Sequence, residues 1–409
     1  MKTLHKHFIP LLFLIPQLPA QSAQVLKTNR RPEITGKVIL KKGVPFVYLW
    51  GSNKSRGFAE GYLRAEAILD SFRSWVLSRI KPAAWDLIVL PTATRRFHIP
   101  KRFQHRATAI IAGMKAAGKI RVPELHRDLR AKDLFAIAAL VDAQGIFCSS
   151  IAAWGSKVKG RGPIVCRNLD YSASAKMLKQ QCVFIQAPYE GRRGSITVGW
   201  SSAWLVTGIS DQGVFLAIHD VHAKAVRGRE NTPRMIALWD LLEKLNPKKD
   251  PISEAKKILS SFDFAFGGNA MLAFAYPQPG AAVLEFGPRR KGQDSVTIRR
   301  AGNGNWIACT NHWRSRRRGK GGWRYRTMQQ KASSTQSEKK LVNSKAIWEI
   351  ATAARVHETL HTILVDLGSG TMDLDLRAVP RQNRWISFRN LSLKNLFAGL
   401  PTQSKQTKD

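Results

Sequence analysis

The sequence predicts an α+β fold in which antiparallel sheet is layered against helices. Three observations carry that prediction. Helical periodicity fills the first third of the chain, short β-rich segments separated by turns take over near residue 148, and helices return in a pair between later strands. Segments 37–41 (KVILK) and 45–50 (PFVYLW) flank KKGV and predict a β-hairpin with Gly43 in its turn. A helix is predicted from Phe58 to Ile80, because Leu63, Ala67, Ile68, Phe72 and Val76 fall on one face. Two more are predicted at 103–118 and 132–147, the latter with Asp133 near its start and Gly145 near its end. Beyond Cys148, strands are predicted at 163–166, 182–187, 195–200, 203–208 and 213–218, punctuated by turns such as Ser210-Asp211-Gln212-Gly213. Helices follow at 234–246 and 252–261, then strands at 270–276, 281–286, 295–299 and 305–309. A helix around 339–354 leads to a hairpin across Gly368-Ser369-Gly370, and the polar tail 401–409 is expected to be disordered.

Composition bounds the function. With 44% hydrophobic residues, 12 Trp and 18 Phe, the chain can bury a core, which excludes a disordered protein. The balance of 66 Lys+Arg against 28 Asp+Glu leaves a formal +38, which attracts nucleic acid, anionic surfaces or acidic glycans. These charges are spread along the chain, from Lys41-Lys42 through Arg192-Arg193 to Lys339-Lys340, and so read first as a solvated face. The opening MKTLHKHFIPLLFLIPQLPAQSAQ has basic residues, an apolar run from Phe8 to Ile15 and small residues at Ala20, Ser22 and Ala23. Residues 1–23 are therefore expected to be a secretory signal, and the mature protein to be periplasmic or secreted with no integral membrane segment.

Export permits disulfides, yet four cysteines (Cys148, Cys166, Cys182 and Cys309) are no disulfide framework for a chain of this length. Cys166 and Cys182 have the spacing to pair, but free buried thiols are the simpler expectation, and no CxxC spacing suggests a metal site. No G-x-S-x-G elbow, H-E-x-x-H motif, Walker loop or G-x-G-x-x-G cradle occurs. Attention falls on Cys148, which closes an apolar helical stretch and is followed by Ser149 and Ser150. Arg167 and Asp170 stand nineteen and twenty-two residues on (167 − 148 and 170 − 148), a length that lets a strand–turn–strand bring them back beside the thiol. A guanidinium near sulfur lowers a thiol pKa, and a carboxylate can orient an amine. A buried structural thiol and a structural Arg–Asp pair are the competing readings of the same residues.

The stretch CSSIAAWG…GRGPIVCRNLDY (148–171) resembles the nucleophile region of the cysteine N-terminal-nucleophile (Ntn) hydrolases, in particular the acyl-coenzyme A:6-aminopenicillanic acid acyltransferase-like branch, related to choloylglycine hydrolase and acid ceramidase. GSNKSRGFAEGYLRAE (51–66), LVTGISDQGVFLAIHDV (205–221), GGNAMLAFA…AAVLEF (267–286), CTNHWRSR (309–316) and TLHTILVDLGSGTMDL (359–374) resemble further landmarks of that family in the same order. Cys166 departs from the family's usual Gly, which would crowd the site or add a redox-sensitive thiol.

The resemblance implies a four-layer αββα sandwich with two antiparallel sheets, divided into an α segment (24–147) and a β segment (148–400). It implies an exported amidohydrolase or acyltransferase that cuts itself between Phe147 and Cys148. The freed Cys148 amine then serves its own thiol as base and cleaves linear amide bonds of N-acyl compounds through an acyl-thioester. Asp170 would position that amine, Arg167 would stabilise the thiolate or the substrate carbonyl, Asn311 would donate to the oxyanion, and Arg324 would brace the network, with Arg326 its neighbouring alternative. Asn269 is a second oxyanion candidate, and His312 is expected to pack rather than act as a base. The reaction needs no metal or organic cofactor, and the partner is a small N-acyl or amide substrate. Two other functions fit the charge: a phospholipase B-like lipid deacylase, and a catalytically silent protein that grips an anionic surface or polymer through RSRRRGKGGWRYR (314–326).

Overall fold

Lys42 and Gly43 both take positive φ and turn β1 (Gly36–Lys41) back along β2 (Val44–Leu49), the hairpin that the sequence predicts. The computed structural model describes residues 33–401 except 146, 161, 202–205, 224–230, 290–293, 303–304, 317–320 and 338–340. The expected signal segment 1–23, residues 203–205 of one expected strand, 339–340 of one expected helix and 402–409 of the expected tail lie outside the described residues. Ile34–Asp409 forms one compact unit, so Phe147–Cys148 joins two chain segments within that unit.

The helix Asn53–Ser71 starts five residues before the predicted Phe58, because Ser52 caps it by accepting the Ser55 N–H at 3.1 Å. It crosses the helix Lys101–Ala116 at close range. A Cβ on Gly61 would stand 1.9 Å from the Ile110 carbonyl oxygen, and one on Gly113 would stand 2.1 Å from that of Phe58, so both positions require glycine. A small ribbon, β3 (Arg121–Val122) and β4 (Arg127–Asp128), and the helix Ala131–Gln144 follow. The chain then runs through β5 (Phe147–Ala153) and back along β6 (Ile164–Asp170). Next come β7 (Cys182–Gln186), β8 (Ser195–Gly199), β9 (Thr207–Ser210) and β10 (Val214–Val221), each paired antiparallel with the next. Helices Arg234–Lys244 and Pro251–Ser260 lead to β11 (Gly267–Phe274), β12 (Gly280–Phe286) and β13 (Val296–Arg299). After β14 (Trp306–Cys309) come helices Trp323–Ser337 and Ser344–Thr352, then β15 (Thr359–Asp366), β16 (Thr371–Arg377) and β17 (Trp385–Ser392). The helix at Trp323 and the strand β17 have no clear periodicity and are absent from the sequence prediction.

Among the described residues, two large sheets form. One has nine strands in the order β1-β2-β7-β8-β9-β10-β11-β12-β13, the other six in the order β14-β5-β6-β15-β16-β17. Pairing is antiparallel, as expected, with one exception: β2 runs parallel to β7. The exception follows from topology, since β2 and β7 are joined by more than a hundred residues that include β5 and β6 of the other sheet.

Side chains alternate across each strand, and the alternation builds four layers. Phe46, Val183, Phe215 and Met271 of the nine-stranded sheet face Ala152, Val165, Ile363 and Val365 of the six-stranded one. The outer face of the large sheet, through Leu216, Ile218, Leu272 and Leu284, packs on helical residues such as Ile110, Leu238 and Leu241. The outer face of the small sheet, through Ile151, Ile164 and Leu364, packs on Met328, Ile347 and Ile350. The architecture is therefore an αββα sandwich. All four cysteines are buried free thiols, and Cys166 and Cys182 lie in different sheets. No helix among the described residues is long and apolar enough to cross a membrane.

Candidate active site

Cys148 is the second residue of β5, not the end of a helix as predicted. Gly145, at φ +78°, breaks the helix after Gln144, and the chain leaves it extended. Pairing with β6 sets Cys148 opposite Leu169, Phe147 opposite Asp170 and Ser150 opposite Arg167. The anticipated return of the chain is thus a ladder of two neighbouring strands.

Arg167 is fully buried between the sheets and converges on three groups. Its Nη2 donates to Cys148 Sγ at 3.0 Å and to the Ile218 carbonyl at 3.3 Å, and its Nη1 donates to His361 Nε2 at 3.1 Å. A guanidinium only donates, so His361 accepts through Nε2 and is neutral. Burial, and then Arg167, hold His361 well below the usual histidine range.

Asp170, at the end of β6, accepts from Arg324 Nη1 at 2.5 Å on one oxygen and from Thr359 Oγ1 at 2.7 Å on the other. Arg324 Nη2 donates to Asn311 Oδ1 at 2.9 Å, and that same oxygen accepts the Cys148 backbone N–H at 2.8 Å. Asn311 Nδ2 in turn donates to the Asp220 carbonyl at 2.8 Å. A continuous path of hydrogen bonds therefore runs Asp170–Arg324–Asn311–Cys148 N, ending on the nitrogen of the Phe147–Cys148 peptide. Arg326 is outside it and donates to the Gly321 carbonyl at 2.8 Å.

Burial pushes the Cys148 thiol up to about 12; Arg167 and Arg324 pull it down, while Asp170 and Asp220 add to the rise. Burial also raises the Asp170 carboxyl, against Arg324 and the Thr359 hydrogen bond.

Two of the expected residues have other roles. Asn269 Nδ2 donates to the carbonyls of Thr310 (2.8 Å) and His312 (3.0 Å), so its two amide hydrogens are committed and it is not the second oxyanion donor expected. It sits beside Glu285 in the β11–β12 ladder, and Glu285 accepts the backbone N–H groups of Arg314 (2.8 Å), Ser315 (2.8 Å) and Arg316 (2.9 Å). Together the pair grips both sides of the loop that presents Asn311. Cys166 points the opposite way from Arg167, into the apolar layer against helix Ser344–Thr352, and does not crowd the site. His312 is half-buried against Tyr325 and Thr310, and burial, then Arg314, lower its pKa.

The sequence reading missed four neighbours: Thr359, Asp220, His361 and His219. His219 Nε2 lies 2.7 Å from Ser150 Oγ, and burial, then Arg167, hold its pKa well below the usual range. Thr359, His361 and His219 are polar residues within otherwise apolar buried strands (TLHTILVD, VFLAIHDV), a signal available in the sequence.

Three cavities meet here. An open one of about 600 Å³ is lined by Arg79, Phe147, Asp170, Tyr171, Arg324 and Glu358. A charged one of about 100 Å³ has Asp142, Phe147, Asp220, Arg234 and Asn311 in its wall. An apolar one of about 70 Å³ lies behind Leu169 and Tyr171, among Ile68, Phe72, Trp75 and Val141. Phe147 lines the first two and is 48% exposed.

No family model and no curated protein matches the chain. Among solved structures it is similar to the N-acylethanolamine-hydrolyzing acid amidase ortholog of Caenorhabditis elegans, at 17% identity and a TM-score of 0.41, over 54% of this chain and 93% of that one. It is similar to a mutant of conjugated bile acid hydrolase from Clostridium perfringens (11%, TM-score 0.42, 59% and 92%). Penicillin V acylase from Agrobacterium tumefaciens is a third (10%, TM-score 0.42, 59% and 86%).

Proposed function

We propose that this protein is a self-activating cysteine amide hydrolase of the N-terminal-nucleophile kind. The observation that carries the reading is the Phe147–Cys148 peptide itself: its nitrogen is held by Asn311 at 2.8 Å while the thiol of the same residue meets Arg167 at 3.0 Å. Attack of Sγ on the Phe147 carbonyl carbon forms the S–C bond and breaks the C–N bond. The proton leaves sulfur and ends on the departing Cys148 nitrogen. Water then resolves the thioester, giving a Phe147 carboxylate and a free thiol.

The new α-amine, with an ordinary pKa near 7.7–8.0, takes the thiol proton in later turnovers. Asp170 faces the position that Phe147 vacates, and its partner Arg324 also holds Asn311, so amine and oxyanion groups share one brace. The same thioester, opened by an amine instead of water, gives acyl transfer. The apolar cavity behind Leu169 suits an apolar acyl group.

The polyanion reading draws less support. Residues 317–320 of its basic segment lie outside the described residues, Arg324 is turned inward to Asp170, and Tyr325 is buried. Export remains part of the proposal and rests on residues 1–23 alone.

Intact mass of the chain freed of residues 1–23, beside Cys148→Ala, tests the reading. Wild type is expected as two chains, the second of 262 residues (409 − 147) starting at Cys148, and the variant as one. Cut wild type should then release fatty acid from N-acyl amides and not from phospholipid vesicles. A single uncut chain in both preparations would sink the proposal.

A further inference from the structure

We propose that Arg79 is the subsite for a carboxylate on the leaving amine, so that the preferred substrates are N-acyl amino acids rather than neutral N-acyl amines. The inference rests on the hydrolase reading and adds the leaving-group class to it.

Arg79 lies in the wall of the 600 Å³ cavity that also holds Asp170, Tyr171 and Arg324. Its guanidinium is fixed by the backbone: Nη1 donates to the Trp75 carbonyl and Nη2 to the Ser172 carbonyl, both at 2.9 Å. Ser172 is two residues beyond Asp170, so the cation is tied to the strand end that carries the active-site carboxylate. Two of its five N–H groups are thereby used and three remain, enough for a two-point grip on a carboxylate.

No carboxylate among the described residues pairs with Arg79, an exposed residue, whereas Arg102, Arg106, Arg234 and Arg324 each meet one. The cavity's other cation is already answered. Arg324 and Asp170 neutralise each other at 2.5 Å, and Glu358 lies near enough to Arg377 to support its positive charge. Arg79 is the cation left over.

Its position also sorts the two halves of a substrate. The Arg79 guanidinium stands 5.7 Å from the centre of the Tyr171 ring, and Tyr171 lines both the open cavity and the apolar one. Trp75 Nε1 donates to the Tyr171 hydroxyl at 2.6 Å and holds that ring in place. An apolar acyl chain enters the dry side of Tyr171, where the lining is Ile68, Phe72 and Val141, and the water-facing side with its cation receives the polar amine half.

The test compares three substrates of one acyl length on the self-cleaved protein: N-octanoylglycine, its neutral counterpart N-octanoylethanolamine, and an amide whose leaving amine is neutral and whose acyl chain carries the carboxylate. Wild type should favour the glycine conjugate over the ethanolamide by about 10–100-fold in kcat/KM, the range of one charge-assisted hydrogen-bonded contact. Arg79→Gln should collapse that ratio mainly by raising KM for the glycine conjugate, and Arg79→Lys should restore part of it. Equal use of glycine conjugate and ethanolamide by wild type, or a ratio unmoved in Arg79→Gln, overturns the inference while leaving the hydrolase intact. Preference for the acyl-side carboxylate overturns the assignment to the leaving group. Cleavage of none of the three by an uncut chain overturns the hydrolase reading and this inference with it.

Discussion

The layer between the two sheets has two ends built by the same strands, and they differ in kind. At one end β5, β6, β15, β10 and β11 contribute Cys148, Ser150, Arg167, His361, His219 and Asn269; a few residues along, the same faces contribute Ala152, Val165, Ile363, Phe215 and Met271. Strand alternation delivers both sets to one interior. At the apolar end burial is favourable by itself. At the polar end each group is acceptable only because a neighbour meets it: Arg167 with His361 and Cys148, Ser150 with His219, Asn269 with the 310–312 carbonyls. Burial alone does not mark the proposed nucleophile. Cys309, opposite Ser150 on the neighbouring strand, is also pushed to about 12 by burial, yet the hydrogen bond its sulfur makes is to the Thr310 carbonyl at 3.8 Å.

If the ends are specialised, damage to them should separate. Asn311→Ala removes the group that holds the Cys148 nitrogen and Arg324, and is expected to slow both self-cleavage and amide turnover by about 10²–10³-fold, with a stability loss of about 1–3 kcal/mol from the partners it leaves unmet. Time-resolved gel analysis of the cut and calorimetry would read the two effects. A large loss of stability with normal cutting would make the polar end a structural network. At the other end, Phe215→Ala opens a cavity in a fully buried position and should cost about 3–5 kcal/mol of stability by denaturant titration, with turnover per folded molecule within about twofold of wild type. Activity that fell in step with stability would mean that the two ends are mechanically coupled.

This division explains what the sequence reveals. The strands of the apolar end are legible by hydrophobic pattern to within a few residues, as β7, β10 and β12 illustrate, since burial leaves a periodic trace. Cys148, Arg167 and Asp170 are legible because one turn of chain brings them together. Asn311 and Arg324 are harder, since 141 residues (311 − 170) separate Asp170 from Asn311; they are reached through the family resemblance rather than periodicity. The role of Asn269 is misread because an amide looks the same in sequence whether it faces a substrate or a loop carbonyl. Its partner Glu285 betrays the second option only once β11 and β12 are seen side by side. Helix Trp323–Ser337 escapes the pattern because its basic, weakly amphipathic start resembles a solvated charge run, although Arg324 in its first turn is spent inside.

The smallest expected effect concerns protons at the polar end. His219 and His361 are held neutral by burial and by Arg167, with pKa values well below the usual 6.5. Below pH 6.5 the unfolded chain takes up protons on these histidines that the folded chain refuses, so stability falls with falling pH, by at most about 1.4 kcal/mol per pH unit for each. Asp142 and Asp170, whose carboxyls burial raises, slope the other way, since their contribution is present in acid and is lost as pH climbs through the folded pKa. The wild-type curve mixes both signs, and the histidine part is isolated by difference. His361→Gln offers Arg167 an amide oxygen in place of Nε2 and carries no titrating group. Between pH 6.5 and 5 its stability should therefore decline less steeply than that of wild type, by up to one proton's slope, while the two converge in shape above pH 7. Parallel curves across that window would mean that His361 accepts a proton in the folded state, and the polar end would then tolerate a second positive charge beside Arg167.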